Sequence, residues 1–223
     1  MLDELSRGRF LLGVARGGPW VDLEVFGTGL ARYQTGLTES LDLIQRWLSG
    51  QRRVKSEGEH FRFRTVSVVP RPARPVPVYV AATSQATIDA AAARGQPLLL
   101  GMHATAEHNR NVIDHHAQVA AEHGHDTPHL PHAPARLAYV ADSAVRARAE
   151  LEAALPRWLD TRTSYLRIDG SKGPERDSHA YARQLMHNHA VGTPEHCVQR
   201  LAESAAISGV GRLLLMVEAA GDP

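Results

Sequence analysis

The stretch "ARGG" at residues 15–18 places an arginine between a short apolar run and two glycines. A guanidinium there can grip a phosphate through two parallel N–H donors, and the glycines let a ligand come close to the backbone. A second group stands in "VAATSQAT", residues 80–87, where Thr83 and Ser84 end an apolar run and Thr87 follows one helical turn later. Hydroxyls and unpaired N–H groups at a helix start make an anion site. The same residue types are also ordinary helix caps, and an arginine beside a turn is also an ordinary surface residue, so both readings stay open. A nucleotide P-loop is excluded, because no GK[ST] ending follows the glycines and no GxGxxG opens a helix.

Histidine is dense between residues 103 and 132, with His103, His108, His115, His116, His123, His125, His129 and His132. The pair His129 and His132 has metal-ligand spacing, but no cysteine or carboxylate pattern completes a tetrahedral set, and no metal site is expected. His103 differs from the others in following directly on an apolar run. The lone Cys197 falls within a helical pattern and reads as a small buried hydrophobe. No Ser-His-Asp or GxSxG arrangement is present.

The elements that must position these residues alternate strand and helix. Apolar runs at residues 10–15, 78–82, 98–102, 136–140 and 212–217 read as strands, the third short and continuously apolar as for a strand buried on both faces. Helices are expected at 33–48, with Leu37, Leu41, Ile44 and Leu48 on one face, and at 85–94, 106–123 and 143–159. A last helix begins at Thr193, with Pro194 in its first turn, and ends at Gly209. Residues 51–77 read as a polar stretch followed by extended, proline-punctuated chain, and 162–178 as a polar loop. Five βα-type repeats running in one direction imply a parallel sheet in a single domain over residues 1–223, either doubly wound or part of a barrel. In both, ligands belong at the C-terminal ends of the strands.

Composition bounds the partners. The 223 residues suffice for one substantial core, and 43% hydrophobic with 22% charged residues is ordinary for a globular protein. A net charge of +1 favours neither nucleic acid nor an anionic membrane surface. No apolar run nears the ~20 residues of a bilayer span, the first ten residues lack a secretory pattern, and one cysteine fits a reducing compartment, so a cytoplasmic location is expected.

Residues 8–27 resemble the segment of bacterial luciferases and luciferase-like flavin monooxygenases in which "GRF", an apolar strand, "RG" and "VFG" recur, here at 8–10, 16–17 and 25–27. The resemblance continues through "YVAATSQATIDAAAARGQPLLLGM", "EHGHD", "VGTPEHCVQRL" and "GVGRLLLMVEAAG". It implies an α/β fold, a luciferase-like TIM (β/α)8-type barrel that is incomplete with about five βα units. It implies reduced FMN as cofactor, with Arg16, Ser84 and Thr87 at the flavin phosphate, Thr83 beside them, and Gly101 and Met102 along the ring. Residues 162–178 would match a mobile lid. Ala15 stands where luciferase has a reactive cysteine, so light emission is not expected. The first three βα units, including the strand with the family's catalytic histidine, and the last helix have no counterpart here. A truncated product, a reduced family member and an obligate oligomer are all compatible with that.

The expected activity is a flavin-dependent monooxygenase that oxidises a small organic substrate with O2. Its expected partners are a flavin reductase that supplies reduced flavin and a second copy in a homodimer or other oligomer. His103 is a weak candidate for proton transfer. The alternatives are an F420-dependent oxidoreductase of the same superfamily and a non-catalytic flavin-binding protein.

Overall fold

A computed structural model describes residues 1–17, 19–127, 129–163, 170 and 176–218. The chain divides into two compact units, Met1–Val80 and, from Ala81 onward, the remainder apart from a short segment around residue 170. It crosses from one to the other within a strand.

The first unit opens with α1 (Leu2–Leu5), β1 (Leu12–Val14), α2 (Trp20–Val25) and the long α3 (Gly29–Leu48). Then comes an antiparallel pair, β2 (Arg53–Glu57) with β3 (Arg62–Ser67), and the unit closes in β4 (Val78–Ala81). β1 runs parallel to β4, with Leu12 opposite Val78 and Val14 opposite Val80. The β2–β3 pair corrects the expectation of a polar, extended stretch. The outward residues of β2 are charged, while Val54 and Val68 are buried with Leu43 of α3 against Trp47, Phe61 and Phe63. That second contact shifts the buried face of α3 to Tyr33, Gly36, Leu41 and Leu43, away from the single stripe that periodicity suggests. Glu39 of α3 ties the turn between the two strands, accepting the N–H groups of His60 at 2.9 Å and Phe61 at 2.7 Å.

In the second unit the end of β4 pairs with β5 (Leu98–Leu100) through the Ala82 N–H and the Leu99 carbonyl, 2.9 Å apart. β5 runs parallel to the eight-residue β6 (Ala133–Val140), which in turn pairs in parallel with β7 (Ala190–Gly192) and β8 (Leu214–Met216). The helices are α4 (Gln85–Ala92), α5 (Ala106–Glu122), α6 (Ala144–Thr163), α7 (Ser178–Asn188) and α8 (Pro194–Ser208). Their core gathers Leu137 of β6, Leu151 and Leu155 of α6, and Leu185 of α7, all essentially fully buried. Each contributes roughly 1.5–3 kcal/mol by leaving water.

The parallel strands and their crossovers form an incomplete α/β barrel, as expected. The strand count is the second correction: among the described residues there are six parallel strands, because β7 and the helix α7 before it also form. Three apolar residues are too short a run to register as a periodic strand. The lid expected over 162–178 lies largely outside the described residues.

Local signals held where a cap decides. Thr193 accepts the His196 N–H at 3.4 Å with Pro194 in the first turn, and Gly209 closes α8 with a left-handed φ of 70°. Cys197 is buried, its thiol donating to the Tyr139 carbonyl at 3.5 Å, and burial pushes its pKa up. That is a packed residue, not a nucleophile.

Candidate functional site

Arg16 lies two residues past β1 in the first unit. Its guanidinium carbon stands 4.4 Å from the centre of the Tyr33 ring on α3, a cation–π stack that presents the group edge-free. Its Nε is buried and, among the described residues, has no hydrogen-bond partner. The next residue must be glycine. Gly17 has φ 82°, and a Cβ there would stand 3.2 Å from Leu23 Cδ2. An orphaned buried N–H on a fixed cation suits an anionic ligand better than a solvated surface side chain.

Thr83, Ser84 and Thr87 begin the second unit. Ser84 is the N-cap of α4, and its hydroxyl accepts the Thr87 N–H at 3.4 Å. Thr87 reaches back: its hydroxyl accepts the N–H groups of Ser84 at 3.0 Å and Thr83 at 3.1 Å and donates to the Ser84 carbonyl at 2.7 Å. This closed capping box engages both roles of the Thr87 hydroxyl, which is buried, whereas the Thr83 side chain is exposed and that of Ser84 is half-buried. The cap reading is therefore realised at this helix start. The first turn of α4 also carries the N–H groups of Gln85 and Ala86, which have no i−4 partner within the helix.

Gly101 and Met102 follow β5 as the resemblance places them. Gly101 is exposed; the Met102 side chain is buried in the core with Leu137 and Tyr181. Two buried side chains, His189 and Arg136, hold the loop they begin, and sequence reasoning missed both. His189, just before β7, donates its Nε2 proton to the Met102 carbonyl at 2.7 Å, and its buried Nδ1 has no partner among the described residues. Burial, opposed by that hydrogen bond and reinforced by the nearby Arg136, His103 and Arg200 charges, lowers its pKa to about 4. It is a neutral donor.

Arg136 of β6 is 2% exposed. Its Nε donates to Ser204 Oγ at 2.7 Å, and Nη1 to the Ala135 carbonyl at 3.0 Å and the Ala104 carbonyl at 3.5 Å. The Asn109 side-chain oxygen, in the orientation that satisfies both groups, accepts from Nη2 at 2.8 Å and Nη1 at 3.1 Å. Burial lowers the pKa of Arg136, and Glu107 opposes that. An arginine opening an apolar strand was the available signal for it.

His103 itself pairs its Nδ1 with the Tyr181 hydroxyl of α7, the two ring centres 5.6 Å apart, and Arg176 stacks over the Tyr181 ring at 4.5 Å. Desolvation, then the Arg176 charge, lowers the His103 pKa. Two further histidines are buried and structural. His132 Nδ1 accepts the Leu98 N–H at 3.1 Å, and His116 donates to the Gln96 carbonyl at 2.9 Å. No group of three or more His, Cys, Asp or Glu able to hold a metal occurs among the described residues. No described helix is long and apolar enough to cross a membrane.

Comparison with known proteins gives these arrangements a setting. A family model described as luciferase-like monooxygenase matches residues 1–211. The alkanal monooxygenase alpha chain of a Kryptophanaron alfredi symbiont is 26% identical over 241 residues, covering 99% of this chain and 67% of its own length. Among solved structures, monooxygenase RslO1 from Streptomyces bottropensis superposes with a TM-score of 0.79 at 21% identity, over 97% of this chain and 64% of its own. An F420-dependent secondary alcohol dehydrogenase in complex with an F420–acetone adduct follows at 0.71 and 17%, covering 96% and 66%. The oxygenating constituent of 3,6-diketocamphane monooxygenase from Pseudomonas putida, in complex with FMN, matches at 0.69 and 16%, covering 97% and 66%. The chain spans about two thirds of the length of the proteins it matches.

Proposed function

Because the chain belongs to the luciferase-like monooxygenase family, we propose that it is the flavin-holding part of a monooxygenase that oxidises a small organic substrate with reduced FMN and O2. Beside that membership, the observation that carries the reading is Arg16, a stacked cation whose buried Nε lacks a partner and so fits a phosphate oxygen. In the second unit, Ser84 and Thr83 at the opening of α4 also suit an anion, with Thr87 shaping that turn through its cap. Gly101 and Met102 are assigned to the ring.

Bound reduced FMN would supply the electrons that activate oxygen. The chain's own residues bind and orient. Arg16 neutralises phosphate charge, His189 and Arg136 hold the loop after β5, and the apolar core around Met102 excludes water. His103 is the residue on that loop able to exchange a proton. A reductase would deliver the reduced cofactor, and a homodimer or other oligomer is the expected assembly.

Absorbance and mass of a ligand copurified with the full chain separate FMN from F420. With photoreduced FMN, the reading expects oxygen uptake coupled to an oxygenated product; F420 as the bound species, or FMN bound with no product, would replace it with the dehydrogenase or the binding protein. Arg16→Ala is expected to weaken FMN at least tenfold and riboflavin little. An unchanged FMN affinity places the phosphate elsewhere.

A further inference from the structure

Arg176 has an unusual setting for an exposed arginine. Its guanidinium carbon stands 4.5 Å from the centre of the Tyr181 ring, itself only 6% exposed, so the stack holds the side chain before any ligand arrives. Among the described residues no carboxylate forms an ion pair with it. Its sequence neighbour Asp177 is turned away, capping α7 by accepting the Ala180 N–H at 2.5 Å. Among the described residues, the N–H edges of Arg176 are therefore unspent.

The same tyrosine fixes a second donor. Its hydroxyl meets His103 Nδ1, and when the phenol donates there the imidazole proton sits on Nε2. The nearby Arg176 charge and desolvation keep His103 neutral at pH 7. One planar cation and one neutral N–H, both anchored on a single buried ring, match a planar anion of unit charge. They match a phosphate dianion poorly.

We propose that Arg176, Tyr181 and His103 form a subsite for the carboxylate of the substrate, with Arg176 pairing it side-on and Tyr181 holding both donors in place. This rests on the small-molecule oxidation proposed above, since it names the class of substrate: an organic acid.

The test needs neither flavin nor turnover. The full chain is titrated with benzoate and hexanoate and with their neutral amides, benzamide and hexanamide, by saturation-transfer NMR. At least one acid is expected to bind ten times or more tightly than its amide, and to weaken as ionic strength rises. Arg176→Gln should remove that preference, Arg176→Lys should restore part of it, and amide affinity should stay constant. Circular dichroism is expected to be unchanged, since Arg176 is exposed. Equal binding of acid and amide, no binding of either acid, or an unaltered preference in Arg176→Gln overturns the subsite. So does a loss of FMN but not riboflavin affinity in Arg176→Gln, which would make the anion the cofactor phosphate. Carboxylate binding without oxygen uptake would overturn the monooxygenase reading alone.

Discussion

His189 Nε2 stands 2.7 Å from the Met102 carbonyl, joining the residue before β7 to the loop after β5 across 87 residues of sequence. The bond is buried, and the opposite ring nitrogen has no partner, so one tautomer is enforced. The loop carrying Gly101, Met102 and His103 is thus held from below by a neutral side chain.

Removing that donor leaves a buried carbonyl unpaired. His189→Ala is expected to cost about 2–4 kcal/mol by the unpaired acceptor and the space left behind, read as a lower urea midpoint at unchanged m-value. His189→Gln, which can still donate, should lose about half as much.

Acid should unfold the second unit by a defined route. His132 and His189 are 4% and 3% exposed, and burial lowers both pKa values to about 4. The unfolded chain, with histidine near 6.5, binds more protons between those limits, so stability rises with pH there. It is full above about pH 6.5 and falls as pH drops toward 4, by on the order of 3 kcal/mol per histidine. Urea midpoints from pH 4 to 8 measure this, and His132→Asn should flatten the slope. A pH-independent midpoint in that window would contradict buried neutral histidines.

Arg136 serves Ser204, Asn109 and the Ala104 carbonyl at once. Arg136→Met sheds a costly buried charge but strands its acceptors, and is expected to destabilise by about 1–3 kcal/mol. Arg136→Met combined with Asn109→Leu should recover part of the loss, a coupling that thermal unfolding of the four proteins in a double-mutant cycle can measure.

Thr87→Val separates cap from ligand contact. Because the hydroxyl is spent on the Thr83 and Ser84 N–H groups, the substitution should cost about 1–2 kcal/mol of stability and change FMN affinity less than Ser84→Ala does. Equilibrium unfolding beside a flavin fluorescence titration gives both numbers. A large affinity loss at constant stability would make Thr87 a direct contact.

The alternation of apolar runs with helical periods was enough to read the parallel α/β order from β4 to α6. Thr193, Pro194 and Gly209 marked α8, because capping is chemistry between near neighbours. The β2–β3 pair escaped because each strand faces water on one side with Arg, Lys and Glu, so its few apolar residues look scattered until α3 covers them. β7 escaped because its three residues gain strand character only by pairing with Ala138 and its neighbours in β6. The sequence could name Ser84 and Thr87 but not decide between cap and anion site, since that depends on where each hydroxyl's proton goes. Nor could it bring His189 to Met102, or His103 to Tyr181. Those pairs lie 87 and 78 residues apart, and only the closure of the chain around a buried core sets their distances.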